Sequence, residues 1–328
     1  MAVLHLTHQG ATLHRAHERL VVRFQGEVLQ EVPLSEVEQV VLWGRGVQAT
    51  TAALHILAQR GVPVFYFTQH GRFIAHLCGK EHGRVQIRFA QTLHAARSDK
   101  ALQLARPLVL AKLRNQYTFL RRRFPGKGFH ALWEELRMAA NRASTLDALR
   151  GVEGRAGTLY FRLWPQLFKV PGWTFSGRTY YPPADPANTL LSLAYTLLLK
   201  DALVACRLAG LDPDIGFLHA LTYGRPSMAL DLMEPFRPLV ADPVVLHAIN
   251  GRRVHLQDFV PSSKQGFRLQ NEALRVFLTL YETRMQTRFR PSQLAQRVTY
   301  RQALVWQARR LTRVLLGQEK KFCPVTIS

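Results

Sequence analysis

Gly71-Arg72-Phe73-Ile74-Ala75-His76-Leu77-Cys78-Gly79-Lys80-Glu81-His82-Gly83 marks the point where the chain changes character. Gly71-Arg72-Phe73 reads as a turn into a strand over residues 73–77. That strand closes a series of short β-prone runs. Residues 20–24 and 28–32 flank Gln25-Gly26-Glu27, a hairpin signal, and residues 37–42 and 62–67 add two further strands. Between these, residues 50–60 read as a helix, with Thr50 or Thr51 as N-cap and Gly61 as the stop.

Beyond Gly83 the period lengthens. Residues 101–123, 129–140, 145–168, 188–208, 270–286 and 297–315 carry apolar side chains three and four apart, the spacing of a helix face. Phe124-Pro125-Gly126, Val170-Pro171-Gly172 and Tyr181-Pro182-Pro183 punctuate them. No repeat of fixed period is visible. A length of 328 residues accommodates two domains. The expected fold is therefore α+β: a small N-terminal β-rich domain over residues 1–83, followed by a larger all-α-helical domain over residues 84–328.

Charge divides at the same place. The whole chain has 44 Lys+Arg against 22 Asp+Glu, a net +22, which is too basic for an ordinary metabolic enzyme and points to a polyanion. Residues 1–80 hold 7 basic and 5 acidic side chains, whereas residues 81–328 hold 37 and 17, so the excess belongs to the helical part. Arginine dominates there, and its planar fork grips phosphate oxygens in pairs. A codon bias toward arginine explains the choice of arginine over lysine equally well, but not the excess of positive charge. The near-neutral first domain is expected to serve dimerisation rather than DNA.

A membrane surface is the weaker polyanion. The longest apolar run, near residues 190–199, stops at Lys200, short of the ~20 residues a spanning helix needs. Met1-Ala2-Val3-Leu4-His5 does not open a signal peptide. Cys78, Cys206 and Cys323 lie far apart, with no disulfide framework and no zinc-type pair, which fits a reducing cytoplasm.

Acids are scarce in the basic part, so each is informative. Glu153 sits among Gly151, Gly154 and Gly157 inside a helical stretch, and glycine costs a helix ~1 kcal/mol relative to alanine. The glycines suggest close approach by a backbone or a ligand. The alternative is tight helix packing with Glu153 paired to Arg150 or Arg155. His219, in Gly216-Phe217-Leu218-His219, is either a core histidine or a ligand. Asp231 and Glu234 stand three apart, on one face of a helix. They repel unless a cation lies between them or Arg225 and Arg237 compensate. Carboxylates with one imidazole suit Mn²⁺ or Mg²⁺ better than structural zinc.

Several motifs in order complete the pattern. They are Pro33-Leu34-Ser35-Glu36-Val37-Glu38-Gln39-Val40-Val41-Leu42, Thr50-Thr51-Ala52-Ala53-Leu54, Gly61-Val62-Pro63-Val64 and Lys112-Leu113-Arg114-Asn115-Gln116. Gly151-Val152-Glu153-Gly154, Asp185-Pro186-Ala187-Asn188-Thr189-Leu190-Leu191-Ser192, Gly216-Phe217-Leu218-His219 and Asp231-Leu232-Met233-Glu234-Pro235-Phe236-Arg237 follow. On these, essentially end to end, the chain resembles the CRISPR-associated integrase of spacer acquisition, the universal first Cas protein.

The resemblance implies a homodimer with an N-terminal β domain and a helical catalytic domain. It implies a Mg²⁺ or Mn²⁺ site held by Glu153, His219 and Glu234, with Asp231 as the near alternative or an acid behind the ligands. Asn188 and Tyr195 would line the site; a helix-start cap is the other role for Asn188. Arg237 and Arg225 would hold DNA phosphate, although Arg237 could equally be an exposed partner of Asp231. The implied reaction inserts a short foreign DNA fragment into the CRISPR array: a 3′-hydroxyl attacks a phosphodiester and displaces another 3′-hydroxyl. Double-stranded DNA, as prespacer and array, and a small dimeric second Cas protein are the implied partners. Two rival readings use the same residues: a nuclease with water as nucleophile, and a DNA-binding scaffold whose acids only neutralise arginines.

Overall fold

A two-residue turn sets the geometry of the first sheet. Gln25 and Gly26 both have positive φ (51° and 88°), the backbone of a turn whose twist matches antiparallel strands. In this computed structural model, which describes residues 2–69, 71–79, 85–126, 128–180, 182–261 and 266–327, that turn joins β3 (Arg19–Phe24) to β4 (Glu27–Pro33). The expected three-residue turn is one residue shorter because Glu27 already pairs with Phe24.

The chain forms two compact units, residues 1–83 and 84–328. The expected boundary at Gly83 lies outside the described residues. In the first unit, β2 (Thr12–Ala16), β3, β4 and the short β6 (Gln48–Ala49) make one sheet in the order β4-β3-β2-β6. β1 (Ala2–Leu6), β5 (Val37–Trp43), β7 (Val64–Phe67) and β8 (Phe73–Leu77) make the other. β1, β5 and β7 run parallel and β8 antiparallel. Helix α1 (Thr51–Gln59) starts at Thr50, whose hydroxyl accepts from the Ala53 amide, and stops before Gly61 at φ 68°. Leu4, Leu13, Leu20, Val40, Leu57 and Val64 share the core of this unit. β7 begins two residues later than expected, since Pro63 has no amide to give a sheet. β1 and β2 were not expected, because His5 and His14 interrupt their short apolar runs.

The second unit is built around α6 (Pro186–Ala209), which packs against α7 (Ser227–Met233), α8 (Asp242–Asn250) and α10 (Tyr300–Leu315). Asp185 caps α6 and accepts from the Asn188 amide, Pro186 opens it, and Gly210 at φ 78° ends it. At 24 residues α6 is long and apolar enough to cross a bilayer, which corrects the reading from the apolar run. It is a core helix instead: 72% of its most apolar window is buried in the protein. It also carries Lys200 and Asp201 into the interior. Asp201 accepts from Tyr281 (2.7 Å), Lys200 (3.3 Å) and Arg301 (3.2 Å).

α2 (Val85–Ala95) packs against α3 (Ser98–Arg123) and α10, α3 against α4 (His130–Arg142) and α5 (Leu146–Arg162), and α9 (Asn271–Gln286) against α8 and α10. The helix expected over residues 145–168 breaks into α5 and a 3-10 turn at Trp164–Leu167, because Pro165 removes a donor and restricts the residue before it. The unit is not purely helical. β9 (Phe259–Pro261) pairs with β10 (Phe267–Leu269), and β11 (Arg288–Phe289) with β12 (Val298–Thr299). The second ribbon shortens the last helix to Tyr300, where Thr299 and Gln302 form a capping box.

Removing one partner of a buried pair strands the other charge. Asp201→Ala is expected to cost about 3–5 kcal/mol of stability in urea denaturation, and adding Lys200→Met should recover part of it, the loss at Tyr281 and Arg301 remaining. An unchanged midpoint in the single variant would show that the pair is not isolated from water.

Candidate functional site

Prolines shape the segment that carries the acids. After α7 the chain passes through a 3-10 turn (Glu234–Phe236) and a π turn (Arg237–Ala241) before α8. Pro235 and Pro238 lack the amides a continuous α-helix needs there, so the winding tightens and then loosens. Asp231 and Glu234 precede the first proline in helical backbone, share one face as expected, and reach the two nitrogens of one ring, His219. Asp231 turns back to the segment 217–219, while Glu234 faces α3 and α5.

Asp231 is wholly buried and fully engaged. It accepts from the amides of Phe217 (2.6 Å), Leu218 (2.8 Å) and His219 (3.0 Å), and lies 2.6 Å from Nδ1 of His219. These groups, not Arg225 or Arg237, offset its charge. Gly216 makes the turn possible: a Cβ there would lie 2.7 Å from Ser227. With Nδ1 held, Nε2 of His219 faces Glu234 Oε1 at 3.8 Å.

Glu153 on α5 pairs with neither Arg150 nor Arg155. Arg150 binds Asp147 and the Leu218 carbonyl, and Arg155 binds Glu135. The partner of Glu153 is Lys112 on α3. Outside their own helix turn the glycines beside it meet nothing among the described residues: a Cβ at Gly151, Gly154 or Gly157 would have no other heavy atom within 4 Å. They leave an open helix face rather than a close backbone contact.

Glu234 holds Arg237 at 3.0 Å through Oε1, and its Oε2 lies 2.5 Å from Nζ of Lys112. That oxygen is buried and has no well-directed hydrogen bond. Burial opposes its ionisation, but Arg237, Lys112 and His219 outweigh burial and hold the carboxyl well below the usual carboxylate range. Lys112 is the mirror case: burial works against its charge, and Glu234 and Glu153 more than restore it, raising its pKa. The ammonium thus lies between the two carboxylates. Among the described residues no three acid, imidazole or thiol groups close on one point.

These groups open on a cavity of about 640 Å³, whose wall includes Arg150, Arg178, Arg225, Arg237, Tyr180 and Tyr195. The Arg225 side chain has no hydrogen-bond or ion-pair partner among the described residues. Tyr195 lies beneath the Arg237 guanidinium, 4.4 Å from ring to charge, and donates to Asp242 (2.8 Å), which also accepts from Tyr160 (2.7 Å). Asn188 lies outside the wall. It caps nothing with its own side chain but ties the loop before α6, bonding Gly177, Thr179, Arg178 and Asp185. Two carboxylates and an imidazole ringed by guanidinium groups can hold a divalent cation against phosphate.

Lys112, Arg150, Arg178 and Asp242 were missed as site residues. Lys112 had a visible signal, since it sits on the apolar stripe of α3 with Leu108 and Val109. Asp242 had none, because its tyrosine partners come from distant helices.

The model of a family described as CRISPR associated protein Cas1 matches residues 4–283. A CRISPR-associated endonuclease Cas1 of Thermus thermophilus is 43% identical over 324 residues, covering 98% of this chain and 94% of that protein. A solved Cas1 protein from Thermotoga maritima superposes with a TM-score of 0.86 at 25% identity, covering 98% of this chain and 99% of its own. A chain of a solved Cas6-RT-Cas1–Cas2 complex superposes with a TM-score of 0.83 at 25% identity, over 99% of this chain and 36% of that longer one.

Burial pushes the Asp242 carboxyl up to about 6 from an ordinary 3.8, against the pull of both tyrosine hydroxyls. Below pH ~4 the group is protonated in folded and unfolded chains alike; above pH ~6 it is ionised in both, at a cost to the folded state of about 3 kcal/mol. Asp242→Asn stays neutral. Its stability relative to wild type should therefore rise between pH 4 and pH 7, by up to about 3 kcal/mol in urea midpoints. A difference that is flat with pH would contradict this.

Proposed function

Because the chain belongs to the Cas1 family of CRISPR-associated proteins, we propose that the arginine-walled cavity of its second unit joins foreign DNA to the CRISPR array during adaptation. The observation that carries this is the meeting of Glu153 and Glu234 on one cation beside His219, within that wall. The chain is a DNA endonuclease and integrase of the family type. The finer parts of the reading are a Mg²⁺ or Mn²⁺ site, double-stranded prespacer and array DNA, a homodimer, and work in the cytoplasm. The Cas1–Cas2 assembly of one structural relative supports a small Cas2 partner here.

The donor set fits a divalent cation. Glu153, Glu234 and Nε2 of His219 would hold it, and the two carboxylates already converge on one positive charge, the Lys112 ammonium. When bound, such a cation stabilises charge on the phosphoryl and leaving oxygens. The chain's own residues do the rest. Asp231 fixes the imidazole so that Nε2, not Nδ1, faces the acids. Arg237, held against the Tyr195 ring and Glu234, is aimed at a phosphate oxygen, and Arg225 is free to take another. One P–O bond forms to the attacking 3′-oxygen and one breaks to the leaving 3′-oxygen, so no net bond energy is spent. Positioning and charge, rather than strong base catalysis, are what such a transfer needs.

Pairing of two copies falls to the first unit. β4 and β8 are sheet edges, and β8 exposes Ile74 (56%) and Leu77 (36%). An apolar edge of this kind calls for a partner.

Glu153→Gln, His219→Ala and Glu234→Gln should each lower joining of a 3′-hydroxyl fragment to a supercoiled target by 100-fold or more, roughly the loss typical of a removed charge-stabilising group. DNA binding in a gel shift should persist. Variants that join like wild type with Mn²⁺ would leave only a binding scaffold, and cleavage without joining would favour the hydrolytic rival. Separately, Ile74→Glu with Leu77→Glu should give a folded monomer by light scattering. A persistent dimer would move pairing elsewhere.

A further inference from the structure

The cation already lodged in the acidic pair belongs to the chain itself. Lys112 rises from the buried stripe of α3, and its side chain is only 9% exposed. Its ammonium is the ionic partner of Glu153 and lies 2.5 Å from Oε2 of Glu234. Without it, Glu153 has no other ionic partner among the described residues, and Glu234 keeps Arg237 and the imidazole. Two carboxylates turned toward one point repel and resist joint ionisation, so the pair needs a positive charge between them.

The contact is of a replaceable kind. Lys112 donates a hydrogen bond to Glu153 and meets Oε2 of Glu234 chiefly as a charge, and a divalent cation offers both carboxylates more charge than one ammonium does. A lysine stem is flexible and can withdraw by changing rotamer. Arg237 is different, since its guanidinium is fixed over the Tyr195 ring as well as to Glu234.

We propose that Lys112 is a tethered placeholder for the divalent cation: it neutralises Glu153 and Glu234 until the cation arrives, and is displaced from between them when it binds. The inference rests on Glu153, His219 and Glu234 being the ligand set. Three consequences follow from exchange of one positive charge for two. The free protein binds the cation more weakly than its donors alone would. The acids never face each other uncompensated. The released ammonium remains in the cavity, where a phosphate can receive it, so cation and DNA reinforce each other's binding.

The test is Mn²⁺ titration of the full-length protein by calorimetry. Lys112→Met should bind Mn²⁺ at least ten-fold more tightly than wild type, and Lys112→Arg should not. A lysine with only a packing role would not tighten binding when removed. On wild-type protein, which avoids any folding defect of the variant, reductive methylation read by mass spectrometry should show Lys112 becoming several-fold more reactive with Mg²⁺. That rise should vanish in Glu153→Gln. If Glu153→Gln and Glu234→Gln weaken Mn²⁺ binding but Lys112→Met does not tighten it and labelling ignores Mg²⁺, the placeholder is overturned and the ligand set stands. If neither acid variant changes Mn²⁺ binding, the ligand set falls and the placeholder with it.

Discussion

A carboxylate taken wholly out of water must be met by several donors, because its desolvation costs several kcal/mol. Asp231 is such a group, and its donors are three successive backbone amides and one imidazole. Side-chain cations could have served, but they would not have fixed the backbone. Amides do: residues 217–219 must curl around one point, and Gly216 must pass against Ser227 with no room for a Cβ. The direction of the His219 ring follows. So does the division of labour between the two acids, Asp231 holding the ring at Nδ1 while Glu234 meets Nε2.

The same logic recurs one turn further on. Asp242 accepts from Tyr160 on α5 and Tyr195 on α6, so it links α8 to both. Tyr195 in turn supports Arg237, which is bound to Glu234. The π turn between Glu234 and α8 is what allows one short stretch to point Glu234 and Arg237 into the cavity and Asp242 behind it. Regular α-helical winding would have carried a hydrogen-bond ladder that Pro235 and Pro238 cannot complete. The irregularity and the chemistry therefore have one cause.

Much of this was legible in the residues. Period-two runs and Gly-rich turns marked five strands of the first unit, and three- and four-residue spacing marked six helices of the second. The ordered motifs identified the family, and Glu153, His219 and Glu234 do come to one cavity. What failed was local reasoning about long-range partners. Arg150 and Arg155 lie within a turn of Glu153, yet the charge that reaches it comes from Lys112, forty-one positions earlier. The glycines of α5 were read as room for a backbone or a ligand: no backbone outside the helix comes near them among the described residues, and the open face they leave is what a ligand would need. Asn188 looked like a wall residue and is a loop tether. Strand β1 and ribbon β11–β12 are stabilised by pairing that their own few residues do not announce.

The net charge of the second unit gains its meaning from this arrangement. The cavity wall carries Lys112, Arg150, Arg178, Arg225 and Arg237 against Glu153 and Glu234. A wall of that composition attracts phosphate without help, so the two acids are a liability for binding and need a chemical reason. Both acids are already engaged, Glu153 by Lys112 and Glu234 by Arg237 and Lys112, while Asp231 on Nδ1 leaves Nε2 of His219 open to the cavity. Acids so engaged hold charge well and move protons poorly. Exchange of one 3′-oxygen for another at phosphorus asks for the first and little of the second, because the hydroxyl consumed is replaced by the hydroxyl released. Hydrolysis has the same balance, since the departing 3′-oxygen takes up the proton that the attacking water loses, so the acids of this cavity serve joining and cutting alike by holding charge.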